Sequence, residues 1–113
     1  MNEIGRKGEE LTAKYLQNKN YEIIEKNYSC RFGEIDLIAK KENFICFIEV
    51  KTRKQDAFTT GFEAITVSKQ RKIIKTAQYF LAYNKKYQNL QPRFDCVEVN
   101  SKTKRITYIK NAF

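Results

Sequence analysis

Two stretches of the chain place apolar residues at the spacing of an amphipathic helix. The first covers residues 3–19, and its apolar face consists of Ile4, Leu11, Tyr15 and Leu16. The second is expected to begin at a cap formed by Thr66 or Ser68 and to run to about Tyr83. Its inward face consists of Ile73, Ile74, Ala77, Phe80 and Leu81. Both helices are therefore expected to pack on one side only.

The other apolar runs predict β-strands. Expected strands are residues 21–28, 33–39, 44–51, 93–100 and 105–109. Residues 29–32 are expected to connect the first two strands, Glu42-Asn43 to form a hairpin turn, and Gln91-Pro92 to break the chain before the fourth strand. The order αβββαββ predicts one α/β domain over residues 1–113, with a mixed sheet and a helix on each side.

Charged residues interrupt the apolar hairpin at Asp36, Glu49 and Lys51. If Glu42-Asn43 is the turn, Asp36 lies opposite Glu49, and all three side chains share one face in a patch about 5 Å wide. A register shifted by one residue would turn Asp36 to the other face. Neighbouring carboxylates repel unless a cation lies between them, and hard ions such as Mg²⁺ prefer oxygen ligands. The pattern predicts an Mg²⁺ site, with Mn²⁺ able to substitute.

Two further acids are candidates for the same site. Glu9 precedes Leu16 by seven residues, so it falls near the inward stripe of the first helix and is the better third acid. The alternative is that Glu9 only favours the helix dipole. Glu34 shares a strand face with Asp36, and a supporting role around the site is expected for it. Asp95 is instead expected to form a buried pair with an arginine in the neighbourhood of Arg93.

Composition narrows the possible chemistry. The formal charge of +9 favours polyanionic partners, nucleic acid above all, although basic charge can also serve solubility alone. The chain has no histidine, which excludes imidazole-based catalysis and histidine metal ligands. Its three cysteines are widely spaced and are expected to be free thiols, as in a reducing cytosol. No signal peptide or membrane span is predicted, so we expect a cytoplasmic protein without a membrane partner.

Basic residues suggest where nucleic acid would bind. The candidates are Arg6, Lys7, Arg53, Lys54, Lys69, Arg71 and Lys72. Between Thr66 and Pro92 there are six basic residues and no acid, which favours contact with a phosphate backbone. The aromatic residues of this stretch are expected to serve core and rim packing rather than base stacking. The polar segment 52–64 leaves the Lys51 end of its strand and is expected to cover the site.

Several motifs, spread over nearly the whole chain, resemble known families. Asp36 followed by Glu49-Val50-Lys51 resembles the PD-(D/E)XK signature of restriction-endonuclease-like nucleases. The chain as a whole resembles the YraN-like family of small bacterial proteins. The residues that carry this second resemblance are 5–10, Asn27, Cys30, 33–39, 47–53, Lys69 and 93–95. The resemblance implies a restriction-endonuclease-like fold similar to archaeal Holliday-junction resolvases, which place a helical glutamate where Glu9 lies.

Three functions are compatible with these features. In the first, the protein is a metal-dependent nuclease in which Asp36, Glu49, the Val50 carbonyl and Glu9 hold the ion, while Lys51 orients water or stabilises the transition state. Binding would then select DNA structure rather than sequence, in recombination or repair, and a homodimer would serve to cut both strands of a junction. In the second, the protein is a non-catalytic nucleic-acid-binding module. In the third, Asp36–Lys51 and Glu49–Arg53 are structural ion pairs and the partner is a protein.

Overall fold

The fold consists of a five-stranded sheet with one helix on each face, and the computed structural model describes it for residues 3–53 and 65–113. The elements are α1 (Glu3–Asn18), β1 (Glu22–Cys30), β2 (Gly33–Lys41), β3 (Phe44–Arg53), α2 (Val67–Tyr83), a 3₁₀ turn (Lys85–Tyr87), β4 (Gln91–Asn100) and β5 (Ile106–Ile109). The expected order αβββαββ and the mixed sheet are confirmed. None of the described helices combines the length and the apolar character needed to cross a membrane.

The strands lie side by side in chain order, from β1 at one edge to β5 at the other. Neighbouring strands are antiparallel except β3 and β4, which are parallel and have α2 between them in the sequence. A parallel pair needs a crossover connection, and a helix is the usual one. The sheet therefore follows directly from a strand meander, one helical crossover and a closing hairpin.

Each helix covers its own side of the sheet with a separate apolar cluster. On the α1 side the buried residues are Leu16, Tyr21, Leu37, Ala39, Cys46, Ile48, Val97 and Val99. On the α2 side they are Ile35, Ile38, Ile45, Phe47, Ile73, Ala77 and Phe80. Alternation along β3 divides its residues between the two clusters, which explains why its apolar run is continuous. The central strand is thus buried on both faces.

Local signals fix the ends of α1 and of the central hairpin. Asn20 adopts a positive φ of 68°, and the Tyr21 N–H donates to the Leu16 carbonyl at 2.9 Å, as in a Schellman C-cap. Glu42 also has a positive φ, of 53°, and Lys41 pairs with Phe44. The predicted turn at Glu42-Asn43, and with it the hairpin register, is confirmed.

Several predicted boundaries were wrong, and β2 also continues to Lys41 rather than ending at residue 39. β1 continues to Cys30, which pairs with Gly33, so residues 31–32 form a tight turn rather than part of a longer connection. β3 continues through Arg53 because β4 pairs with it along its whole length. β4 already begins at Gln91, whose N–H donates to the Asn43 carbonyl at 2.7 Å. The backbone nitrogen of Pro92 faces away from β3, toward the side of β5. Pairing between β4 and β5 starts only at Cys96, so the missing N–H of Pro92 costs no ladder bond.

Gly8 allows α1 to approach β3 closely, which sets the position of the neighbouring Glu9. A Cβ added at Gly8 would lie 2.3 Å from Thr52 Oγ1, a distance that neither short side chain can relieve without a shift. We expect Gly8→Ala to lower the free energy of unfolding by about 1–3 kcal/mol, measured by denaturant titration.

The matched test is the same substitution in a Thr52→Ala background. With the Thr52 hydroxyl removed, the higher helix propensity of alanine should dominate, and Gly8→Ala should become neutral or stabilising by up to about 1 kcal/mol. An equal loss in both backgrounds would show that the close approach to Thr52 is not the cause.

Candidate functional site

A polar pocket of about 370 Å³ opens where the first turns of α1 and α2 meet the ends of β2 and β3. The titratable side chains that line it are Glu9, Glu34, Asp36, Glu49, Lys51 and Lys69, together with Val50. Four of these acids and bases come from the central hairpin, one from α1 and one from α2. The pocket therefore brings together the three charged residues that interrupt the apolar hairpin.

Asp36 lies where the regular pairing of β2 with β3 ends, one position beyond the Leu37–Ile48 pair. Its Oδ2 accepts the Val50 N–H at 2.8 Å, so the carboxylate replaces a backbone partner at the end of the ladder. Ile35 and Ile38 both pack on the α2 side, which means that strict alternation is broken beside Asp36. Burial, reinforced by the charge of Glu49, raises the pKa of Asp36 to about 7.

Glu9 reaches the pocket from the second turn of α1. It forms side-chain hydrogen bonds with Asn27 and with Asp36. Burial is the main cause that raises the pKa of Glu9, and the charges of Glu49 and Glu34 add to it. A hydrogen bond between two carboxyl groups requires a proton on one of them. Glu9 and Asp36 are thus placed to share a proton.

Glu49 is buried, with 6% of its surface exposed, and two ammonium groups offset its charge. Lys69 Nζ lies 2.6 Å from Glu49 Oε1, and Lys51 Nζ lies 3.8 Å from the same oxygen. Burial opposes the charged form of Lys69, but its hydrogen bond with Glu49 prevails and raises the pKa of Lys69. Burial and the neighbouring Lys69 lower the pKa of Lys51. The site thus holds two lysines with opposite pKa shifts.

These contacts differ from the ion pairs expected for a purely structural role. Lys51 and Lys69 both contact Glu49, and Asp36 is held by a backbone N–H and by Glu9. Cross-strand alternation predicts which side chains share a face. The Val50 N–H can bind Asp36 because strict alternation is broken beside that residue. This break explains why the observed contact of Asp36 differs from the expected ion pair.

The donor set fits a hard divalent cation in its chemistry. Carboxylates of Asp36, Glu49 and Glu9, with the nearby Val50 backbone, offer the oxygen ligands that Mg²⁺ prefers. Within residues 3–53 and 65–113, no three acidic or thiol side chains are already gathered closely enough to hold a metal ion. The Lys69 ammonium and the proton shared by Glu9 and Asp36 occupy these oxygens, and a cation would have to displace them.

A comparison with known protein families matches the part of the chain that contains the motifs of this pocket. The model of the family described as "Uncharacterised protein family UPF0102" matches residues 8–99, which include Glu9, the hairpin and Lys69. The chain belongs to the UPF0102 family. This is the YraN-like family that the sequence motifs indicated.

Curated UPF0102 relatives are similar over nearly their full length. A UPF0102 protein of Clostridium perfringens is 46% identical, over 97% of this chain and 93% of the relative. One from Caldanaerobacter subterraneus is 44% identical, with the same shares covered. One from Clostridium botulinum is 46% identical, over 98% of this chain and 94% of the relative. The family name carries no activity, so function has to be argued from the site.

The other predicted nucleic-acid-binding residues of this UPF0102 chain fall at different distances from the pocket. Arg6 and Lys7 lie on the exposed side of α1, where each contacts Glu3, at 3.9 Å and 3.6 Å, and neither lines the pocket. Exposed Lys72 lines an adjoining cavity that also contains Glu34 and Lys69. Exposed Arg71 lies beside it on α2. Arg53 is half-buried at the end of β3.

Two predictions cannot be compared with the structure. Lys54 and most of the segment 52–64 that was expected to cover the site lie outside the described residues. Of the two described residues of that segment, Thr52 and Arg53, the pocket is lined by Thr52, which lies near the end of the pairing between β3 and β4.

Sequence reasoning missed the direct contact of Lys69 with Glu49 and the hydrogen bond from Asn27 to Glu9. The Thr66 hydroxyl caps α2 by accepting the Lys69 N–H at 3.1 Å, as the sequence predicted for this cap. That spacing fixes Lys69 in the first turn, and it was the available signal. Asn27 has a positive φ of 54°, a conformation that asparagine tolerates, but its sequence surroundings resemble an ordinary strand.

Proposed function

We propose that this protein is a metal-dependent nuclease that acts on the DNA phosphodiester backbone and selects its substrate by structure. The observation that carries the proposal is the convergence of Asp36, Glu49 and Lys51 in one pocket with Glu9. A structural role would require only one charge of each sign. Here four carboxyl groups and two lysines are concentrated at a partly open cleft, and shifted pKa values such as that of Asp36 are typical of functional sites.

We infer that the fold is restriction-endonuclease-like. Three features support this: α1 precedes a three-stranded antiparallel meander, α2 crosses over to the parallel strand β4, and the acidic residues lie on β2 and β3. The PD-(D/E)XK signature assigns its acids to these two strands. The match in both topology and residue positions favours this fold over a generic α/β sandwich.

Asp36, Glu49 and Glu9, with the Val50 carbonyl, would hold Mg²⁺ or Mn²⁺. The ion would supply a lowered pKa of bound water and neutralisation of charge on the scissile phosphate. In this arrangement the protein would release the proton shared by Glu9 and Asp36, because the charged carboxylates are the better ligands. Glu34 lines the same pocket, where its negative charge raises the pKa of Glu9 and would also help to attract a cation.

The two lysines would have different roles in the reaction. Lys51, whose pKa is lowered, is suited to orient the attacking water and to exchange a proton with it. Lys69 remains an ammonium and, once released from Glu49, would neutralise phosphate charge. The absence of histidine leaves these groups as the available acids and bases.

Charge supports DNA as the partner. The formal charge is +9, and α2 presents Arg71 and Lys72 on its exposed surface next to the pocket. Such contacts hold phosphates without reading bases, so binding should depend on DNA structure. A domain of this size with one pocket would need a second copy to cut both strands of a junction, and we propose a homodimer for that activity.

Cleavage of a labelled panel of duplex, single strand, flap and four-way junction tests the proposal. We expect cutting with Mg²⁺ or Mn²⁺, none with EDTA, and a loss on the order of 10³-fold in Glu49→Gln. Glu10→Gln is the matched control, because Glu10 follows Glu9 on α1, is exposed and does not line the pocket. Binding without cutting, unchanged in Glu49→Gln, would contradict the nuclease and favour a non-catalytic nucleic-acid-binding module.

A further inference from the structure

A row of aromatic side chains lies on the turn between β1 and β2 and along the second half of α2. Its members are Phe32, Tyr79 and Tyr83, and we call it the aromatic ridge. The Phe32 and Tyr79 ring centroids are 6.1 Å apart, and those of Tyr79 and Tyr83 are 4.7 Å apart. The Arg31 guanidinium lies over the Phe32 ring at 4.9 Å. The ridge is therefore a continuous series of ring contacts rather than scattered exposed residues.

The ridge is not part of the hydrophobic core. Phe80 and Tyr87, from the same stretch of sequence, stack on each other in the α2-side cluster. Tyr79 and Tyr83 belong to neither cluster, and Tyr83 leaves 73% of its surface exposed. The expectation of core and rim packing thus holds for Phe80 and Tyr87 but leaves the exposure of Tyr83 unexplained.

Basic residues accompany the ridge along the helix. Lys75 and Lys72 precede Tyr79 by four and seven residues, so all three share one side of α2. The stretch between Thr66 and Pro92 has no acidic residue to neutralise them. Positive charge next to partly or fully exposed rings is the pattern that holds the phosphates and the unstacked bases of a single strand.

Residues next to the ridge line a cavity that adjoins the candidate catalytic pocket. An adjoining cavity of about 320 Å³ shares Glu34 and Lys69 with that pocket and is also lined by Lys72 and by Gly33, which follows Phe32. A rise of 1.5 Å per residue places Tyr83 about 20 Å from Lys69 along α2. That length accommodates several nucleotides beyond the scissile position.

We propose that the aromatic ridge binds unpaired bases of a nucleic-acid strand whose backbone passes the Asp36–Glu49 pocket. The proposal rests on the proposed nuclease function and names its substrate class: a strand with a single-stranded segment beside the cleavage point. Bases in a duplex have both faces covered by their neighbours and cannot stack on Tyr79 or Tyr83. The ridge therefore favours single strands, and flaps or overhangs, over continuous duplex.

Binding measured in EDTA tests the ridge separately from catalysis. The probes are a fluorescein-labelled oligothymidine, an oligouridine of equal length and a duplex of that length, followed by anisotropy. We expect Tyr79→Leu/Tyr83→Leu to weaken binding of oligothymidine by about 10- to 100-fold with little effect on duplex. Comparison of the two single strands shows whether DNA or RNA fits better.

Two control variants separate stacking from charge. Tyr83→Phe keeps the ring and should bind single strands as wild type does. Lys72→Ala should weaken single-strand and duplex binding alike and reduce the salt dependence by about one phosphate contact. Circular dichroism checks that the leucine variant is folded, which the exposure of Tyr83 favours.

The outcomes distinguish the ridge from the nuclease. Equal single-strand binding by the leucine variant and wild type would overturn the ridge proposal and indicate a protein-contact surface instead. Ring-dependent binding of single strands by a protein that cuts nothing would support the ridge and overturn the nuclease. If the ridge variants cut overhang and duplex substrates as wild type does in the presence of metal, the nuclease would be supported and the ridge proposal overturned.

Discussion

Asp36→Asn is expected to abolish metal-dependent cleavage and, in the same protein, to raise the melting temperature of the metal-free form at about pH 8. The loss of cleavage should be on the order of 10³-fold, because an amide lacks the negative charge that a divalent cation and the developing transition state require. A gain of stability with a loss of activity is the signature of a residue kept for function.

The stability effect follows from the direction of the Asp36 pKa shift. Burial and Glu49 raise this pKa from 3.8 to about 7, so the folded protein holds the proton more tightly than the unfolded chain does. The protonated carboxyl therefore contributes stability fully below about pH 4, and this contribution is lost as the pH rises through 7. Above that pH, wild type carries a poorly solvated charge.

Asparagine avoids that charge while keeping the hydrogen bonds. Its Oδ1 can accept the Val50 N–H, which lies 2.8 Å from Asp36 Oδ2 in wild type, and its Nδ2 can donate to Glu9. A shift of this size corresponds to at most about 4 kcal/mol, and solvent in the open pocket reduces it to about 1–2 kcal/mol. For a domain of this length, we expect the melting temperature to rise by roughly 4–10 °C.

Scanning calorimetry in EDTA at about pH 4 and pH 8 measures this difference. The two proteins should have similar stability at the lower pH, and Asp36→Asn should be more stable at the higher pH. Excess Mg²⁺ at pH 8 should stabilise wild type alone, since only wild type binds the ion well. The difference in melting temperature between Asp36→Asn and wild type should therefore shrink or change sign. If Asp36→Asn were less stable than wild type at pH 8, the ionised carboxylate would be held by favourable contacts. That result would contradict the explanation that its charge destabilises wild type.

The central part of this site could be predicted because it depends on local rules. The polar Glu42-Asn43 turn fixes the register of the hairpin, and period-two alternation then brings Glu49 and Lys51 to one end of β3. The glutamate of α1 follows from helical spacing in the same way. Where one face of a helix or strand must be buried, the apolar pattern predicts on which side each charged residue lies.

The contacts that tune the site depend on tertiary packing and could not be read from the sequence. The 2.6 Å contact of Lys69 with Glu49 requires the first turn of α2 to lie beside β3, and no local pattern encodes that placement. The Asp36 bond to the Val50 N–H arises from a break in alternation. Pro92 was misread as a chain break because its effect depends on which strand its missing N–H faces.

Asp95, which does not line the pocket, is a structural residue, and Asp95→Ala is expected to destabilise the fold by about 3–5 kcal/mol. Asp95 is fully buried in β4, and its carboxylate receives a fork of hydrogen bonds from Arg93, with Nε at 3.0 Å and 3.1 Å and an Nη at 2.9 Å. The Tyr108 hydroxyl and the Asn111 N–H also donate to it. One carboxylate thus joins β4 to β5 and to the turn that follows.

Removal of that carboxylate leaves a cation buried without its anion. Arg93 is 5% exposed, and its remaining described side-chain hydrogen bond goes to the Tyr21 hydroxyl at 2.9 Å. An uncompensated buried charge is more costly than the pair is favourable, so the loss comes mainly from Arg93. We expect the melting temperature to fall by roughly 12–25 °C in scanning calorimetry.

A double variant separates this cause from the loss of packing. Arg93→Met/Asp95→Leu removes both charges and fills much of the same volume, so it should be more stable than either single variant, with a coupling of about 1–3 kcal/mol. Tyr108→Phe removes one hydrogen bond and should cost only about 1 kcal/mol. If the double variant were as unstable as the sum of the singles, the network would act through shape alone. Cleavage per folded molecule should stay unchanged throughout, because the pocket at Glu49 contains none of these side chains.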